Sequence, residues 1–154
     1  MQQCYYIEVE QTLLMIFDDK PISEITNQDL IDLIDNQEED LWIDFKEQHY
    51  HGYRENPEIY KREICKDVTA MANAEGGYIL IGVVEENKIA KKFVDIHEVE
   101  RKADSIYKIC HQHILPRIAK LEVKPYKLTL LGQEYNIIII NIPFSENRPH
   151  GFNS

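Results

Sequence analysis

The sequence predicts an α+β fold: a mixed, largely antiparallel sheet with helices packed on one face. Three observations carry that prediction. Residues 41–46 alternate apolar Leu41, Ile43 and Phe45 with Trp42, Asp44 and Lys46, the period of two that marks a strand. Residues 58–74 place Ile59, Ile64, Val68, Met71 and Ala72 at helical spacing, and Gly76-Gly77 turns the chain into a continuous apolar run over 78–84. Residues 120–130 and 135–142 read as two strands of a hairpin across Gly132. With a second helix between them, the order is β-α-β-β-α-β-β.

Each element has its own local reason. Residues 5–17 mix apolar and acidic residues with a loosely helical period, and Asp18-Asp19-Lys20-Pro21 ends that segment. Asn27 is expected to cap a short amphipathic helix over 28–35, with Leu30, Ile31, Leu33 and Ile34 on its apolar side. Residues 48–57 form a polar and aromatic loop. Residues 78–84 are apolar throughout, as in a strand buried on both faces. Residues 85–88 are a hairpin turn, and 99–114 are an amphipathic helix stopped by Pro116. Residues 143–154 read as loop. The domain reading is an N-terminal helical extension over 1–36, one domain over 37–150 and a tail over 151–154. A further C-terminal domain is expected beyond it.

Composition narrows the function. The 154 residues suffice for one ordinary core. No apolar run approaches the ~18 residues of a membrane span, so no membrane role is expected. Cys4, Cys65 and Cys110 are few, odd in number and widely spaced, which points to reduced thiols in a cytoplasmic protein. The net charge of −10 argues against a generally basic nucleic-acid surface, but it is uneven. Residues 1–60 carry fifteen Asp and Glu against three Lys and Arg, whereas residues 61–154 carry twelve against fourteen.

Two acidic clusters stand at strand ends. Glu39 and Asp44 flank the start of the 41–46 strand, with Lys46 on the same strand face as Asp44. Glu75 lies at the helix-to-strand turn. If the 41–46 and 78–84 strands are neighbours, the three carboxylates approach one another and offer hard oxygen ligands to Mg²⁺ or Mn²⁺. Such an ion polarises a phosphate, and Lys46 would meet the developing negative charge. The alternative is a solvated acidic face. Asn73 with Gly76 and Gly77 is either ordinary helix-end chemistry or a backbone concavity for a phosphate. Tyr53, Arg54, Lys61, Arg62 and Lys66 form an aromatic and basic patch suited to stacking bases and tracking phosphates, or simply a surface loop. His49-Tyr50-His51 and His111-Gln112-His113 have zinc-compatible spacing but sit in a loop and at a polar helix end.

Two motifs together resemble a known family. Glu39-x-x-x-x-Asp44-Phe45-Lys46 is followed by Lys66-Asp67-Val68-Thr69-Ala70-Met71-Ala72-Asn73-Ala74-Glu75-Gly76-Gly77-Tyr78-Ile79-Leu80-Ile81-Gly82-Val83. This is similar to the Schlafen-type Alba-like domain, which reads E-x-x-x-x-E-F-K and then K-x-x-x-A-x-A-N-T-x-G-G-x-x-x-I-G-V. Ile114-Leu115-Pro116-Arg117-Ile118 and Ile142-Pro143-x-Ser145 also look like that family. The resemblance covers about residues 35–150. Two positions depart from it: Asp44 stands for the usual Glu and Ala74 for the usual Thr. The animal Schlafens are metal-dependent endoribonucleases acting on transfer and ribosomal RNA through three carboxylates. By motif position the resemblance puts those three on Glu39, Asp44 and Glu75. It implies a Mg²⁺- or Mn²⁺-dependent endoribonuclease, with a role in stress or phage (antiviral) defence. The alternative is a non-catalytic module binding DNA or RNA within a larger regulatory protein. The animal nucleases pair two such lobes in a horseshoe, so a single lobe implies a homodimer.

Overall fold

The computed structural model describes residues 20–154, so the helical reading of 5–17 and Cys4 lie outside the described residues. The elements in chain order are α1 (Asn27–Ile31), β1 (Ile43–Lys46), α2 (Pro57–Asn73), β2 (Gly77–Ile81), β3 (Val83–Glu86), β4 (Ile89–Phe93), α3 (Val99–His113), β5 (Ile114–Leu115), β6 (Glu122–Leu130), β7 (Gln133–Ile142) and β8 (Gly151–Phe152). A single 3-10 turn at Ile22–Glu24 precedes them. The main sheet has the order β1-β2-β7-β6. β1 runs parallel to β2, and β7 is antiparallel to both β2 and β6. The fold is α+β, and the two strands expected to be neighbours are paired.

Both faces of this sheet are covered. On one, Ile79, Ile81, Ile138, Ile140 and Ile142 pack against Ile64, Val68 and Ala72 of α2 and Ala103, Ile106 and Cys110 of α3. On the other, Leu80, Ile137 and Ile139 meet Ile22, Ile25, Leu30, Leu33 and the β3–β4 hairpin. The alternation of one isoleucine run between two cores follows from the two-residue period of a strand. Cys65 and Cys110 are buried free thiols, and burial raises both, Cys65 to about 11. Among the described residues no helix is long and apolar enough to cross a membrane.

Four local expectations change. The cap of the first helix is Thr26, whose hydroxyl accepts from Asp29 N–H at 3.1 Å while the Asp29 carboxylate accepts from Thr26 N–H at 3.0 Å. Asn27 is instead the first helical residue, and the helix is shorter than expected. The stripe of α2 runs through Tyr60 (2% exposed) rather than Ile59 (43%). Asn56 caps that helix, so the buried series is Tyr60, Ile64, Val68 and Ala72 at four-residue intervals. The 78–84 run breaks at Gly82, where φ is +112°. A Cβ there would lie 2.7 Å from Ile137 Cγ2, so the chain leaves the sheet and starts the β3–β4 hairpin. Finally, 151–152 form β8, paired with β5, inside a segment expected to be loop and tail.

Candidate functional site

β1 divides its side chains between two environments. Ile43 and Phe45 enter the core, while Asp44 and Lys46 share the opposite face. Lys46 Nζ lies 3.3 Å from Asp44 Oδ2 and 3.0 Å from Asp67 Oδ2 on α2. The buried Tyr50 hydroxyl donates to the same Asp67 oxygen at 2.9 Å, and Lys46 Nζ stands 5.2 Å from the centre of the Tyr50 ring. Burial pulls the Lys46 ammonium toward neutrality, but the Asp67 hydrogen bond and the Asp44 charge outweigh it and raise its pKa. Burial, with the adjoining Asp67 charge, pushes the Tyr50 phenol far up, so it remains a hydrogen-bond donor.

Glu39 sits before β1, tied by its N–H to the Lys88 carbonyl at 2.7 Å. Its carboxyl is raised above the usual range by burial first, then by the charges of Asp44 and Glu85. A hydrogen bond from Phe45 N–H and the attraction of Lys46 offset only part of that. Glu39 and Asp44 are therefore an electrostatically coupled acidic pair. Glu75 is placed differently: it is exposed, and its carboxylate accepts from the Trp42 indole N–H at 3.3 Å. Among the described residues no three His, Cys, Asp or Glu side chains form a group that could hold a metal ion. The expected triad of Glu39, Asp44 and Glu75 is not assembled in this arrangement. Mg²⁺ commonly takes only one or two carboxylates and keeps several waters, so Glu39 and Asp44, close enough for the Asp44 charge to act on Glu39, are the residues that would hold such an ion.

The helix-to-strand turn is filled by the chain itself. The Asn73 side chain donates to the His150 carbonyl at 3.0 Å and accepts from His150 N–H at 2.7 Å. A Cβ on Gly76 would collide with the Ile142 carbonyl oxygen, and one on Gly77 would lie 2.5 Å from the Trp42 carbonyl oxygen. Gly76 N–H is spent on the Met71 carbonyl at 2.9 Å. Asn73, Gly76 and Gly77 thus join α2, β1 and the C-terminal segment, which favours the helix-end reading of these residues over the phosphate concavity. His150 belongs to the same lock: Ser145 Oγ lies 2.6 Å from its Nε2, and its Nδ1 meets the Pro116 carbonyl.

The expected basic patch is largely neutralised. Arg54 pairs with Glu98 at 2.8 Å, Lys61 with Glu58 at 3.4 Å and Lys66 with Glu63 at 3.8 Å. Arg62 is exposed and has no ion pair among the described residues. Tyr53 is half-buried, edge-on to His49 and Tyr60 at 5.1 and 5.4 Å. His49 bonds the Tyr60 hydroxyl at 2.7 Å, and burial with the Lys102 charge lowers its pKa to about 4.

Asp67 is the site residue that sequence reasoning missed. A signal existed for Asp67: it lies three residues from Ile64 and four from Met71, beside the buried stripe. Tyr50 belongs to the polar and aromatic loop over 48–57, and what the sequence did not show is its bond to Asp67.

The family model described as Schlafen, AlbA_2 matches residues 39–154, which spans both carboxylate motifs and the whole main sheet. Among solved structures, a similar one is the solution structure of the N-terminal domain of a putative ATP-dependent DNA helicase RecG-related protein from Nitrosomonas europaea. It is 13% identical with a TM-score of 0.50, over 84% of this chain and 81% of that one. The crystal structure of the DIP2311 protein from Corynebacterium diphtheriae is 19% identical with a TM-score of 0.41, over 70% of this chain but 18% of that one. No curated protein matches the sequence.

Proposed function

The chain belongs to the Schlafen AlbA_2 family, and on that premise we propose that it acts on nucleic acid, as a divalent-metal-dependent endoribonuclease cutting structured RNA such as transfer RNA. The observation that carries this reading is the placing of Glu39 and Asp44 at the start of β1, where the Asp44 charge acts on Glu39 and Lys46 pairs with Asp44. A carboxyl raised by burial and by a neighbouring like charge, as Glu39 is beside Asp44, suits a cation and is a recurring feature of reactive sites. Glu39 and Asp44 would hold Mg²⁺ or Mn²⁺. A bound ion of that kind supplies Lewis-acid charge to a phosphate oxygen and lowers the pKa of water. Lys46 stays protonated and would trade its Asp44 contact for a phosphate oxygen, meeting charge that develops on the phosphorus centre. Asp67 and Tyr50 hold the Lys46 stem in place. Glu75 is left to orient Trp42.

A second reading has its own observation. No three-donor group forms among the described residues, and Lys46 is balanced by two carboxylates. A module that binds RNA or DNA without cutting it would look the same. Incubation of the protein with total transfer RNA and Mn²⁺, with and without chelator, separates the two. The nuclease reading expects cleavage that chelator stops and that Glu39→Gln reduces by at least about 100-fold. RNA that stays intact with Mn²⁺ present, yet is bound with and without chelator, would establish the binding module.

A further inference from the structure

Positive charge without a carboxylate partner gathers at one end of this acidic molecule, where α3 ends and residues 116–124 lead into β6. Arg117 and Lys120, with His111 from the last turn of α3, line a notch of about 130 Å³ closed by Ile118 and Leu121. No Asp or Glu lines it. Among the described residues neither Arg117 nor Lys120 forms an ion pair. That contrasts with Arg54, Lys61 and Lys66, each already answered by a glutamate. The exposed Tyr107 ring stacks on His111 with centroids 5.9 Å apart and planes at 17°, at the mouth of the notch. Beyond Tyr107 a wider groove of about 480 Å³ continues between α3 and β6, with Lys124 and Pro125 on one wall. Glu100, Asp104 and Glu122 also line that groove; Asp104 is paired with Lys108 at 2.9 Å, and the Glu122 carboxylate accepts from Ile22 N–H and the Asn141 side chain. The carbonyl of His113, at the end of α3, is taken up by Asn153 N–H at 2.6 Å.

We propose that this notch receives a backbone phosphate of a single-stranded polynucleotide, with the Tyr107–His111 pair as the surface on which the adjoining base stacks. The proposal rests on the nucleic-acid reading above and assigns the docking surface within it. The Arg117 guanidinium suits two oxygens of one phosphate, and Lys120 adds a point charge. An aromatic face beside such charge favours an unpaired base, whose π-face is free, over a duplex, whose base faces are already stacked.

The test is fluorescence anisotropy with a short labelled single-stranded RNA, and with DNA of the same sequence, over a range of salt and with chelator present to stop cleavage. Arg117→Glu with Lys120→Glu should weaken binding roughly tenfold or more at low salt and flatten the log–log salt slope by about 0.7, the increment for one single-strand phosphate. Arg117→Gln and Lys120→Gln, both at exposed positions, should give graded losses. Tyr107→Ala should weaken binding by roughly fivefold or more. Arg54→Glu with Lys61→Glu should stay within about twofold, because both charges are already paired. The losses should appear with RNA and DNA alike, since phosphate and ring are read rather than the 2′-hydroxyl. Binding that survives the Arg117 and Lys120 changes, or a loss confined to one nucleic acid, overturns the notch and leaves the nucleic-acid reading standing. A wild-type protein that binds neither strand overturns the notch, and one that also fails to bind transfer RNA in chelator overturns the nucleic-acid reading.

Discussion

Glu39 occupies a place that suits its neutral form better than its charged one. A carboxyl raised in the folded state costs the fold nothing below the ordinary carboxylate range, and costs it most above the raised value. Glu39→Gln should therefore raise Tm at pH 7 by about 1–3 °C, with the gain vanishing below about pH 3.5. Paired thermal melts across that range check it, and a fall in Tm at pH 7 would mark Glu39 as a structural residue instead. Asp67 is held by its contacts. It accepts from the buried Tyr50 hydroxyl and holds Lys46. Asp67→Ala strands a buried donor, so urea unfolding should show a loss of about 1–3 kcal/mol. If Tyr50→Phe is combined with it, the second loss should be much smaller than Tyr50→Phe alone, because the bond is already gone. The triad residues were legible as a motif, but their partners were not: whether Glu75 meets Asp44 or Trp42 depends on side-chain direction at a turn, which spacing along the chain does not specify.

At the scale of elements, the turn between α2 and β2 carries the most constraint. Gly76 has φ +81°, and a Cβ there would collide with the Ile142 carbonyl and lie 2.8 Å from the Phe144 nitrogen. Gly132, at the β6–β7 turn, has φ +77° and nothing within 4 Å of its added Cβ. Both accept alanine poorly on backbone grounds, at about 1–2 kcal/mol. Only Gly76→Ala must also displace backbone, so denaturant titration should show Gly132→Ala losing about 1 kcal/mol and Gly76→Ala at least about 3 kcal/mol. Equal losses would mean that the close approach at Gly76 relaxes freely. Hairpins and long helices were readable because each satisfies its own backbone hydrogen bonds locally. The break at Gly82 was not, since the apolar run continues unbroken through Val83 and Val84 while the reason for the break, Ile137 and Val94, lies far along the chain.

For the whole molecule, charge and copy number are the open quantities with direct tests. On the proposed endoribonuclease reading one lobe would present one wall of an RNA groove, and its net charge of −10 gives it no long-range attraction for a polyanion. A homodimer that supplies the second wall is the expected functional unit. Sedimentation velocity over a range of protein concentrations, alone and with transfer RNA in chelator, should show a two-copy species. Monomer throughout, with RNA bound one to one, would remove the groove and leave the single-lobe notch as the contact.

The sequence by itself determined the class of fold, the pairing of β1 beside β2 and the family, because these follow from periodicity, glycine placement and a contiguous motif. It also determined which strand face Asp44 and Lys46 share, since alternation is a local rule. Tertiary structure alone decided what those side chains meet. Asp67 reaches Lys46 across the gap between helix and strand, His150 fills the turn at Asn73, and Glu98, Glu58 and Glu63 cancel the basic residues that looked free. Only the folded chain, through contacts between segments as distant as 73 and 150, moves the unpaired positive charge to the end of α3, where Arg117 and Lys120 have no carboxylate within reach among the described residues. Electrostatic pairing falls off over a few ångströms in space, and distance along the chain says little about it.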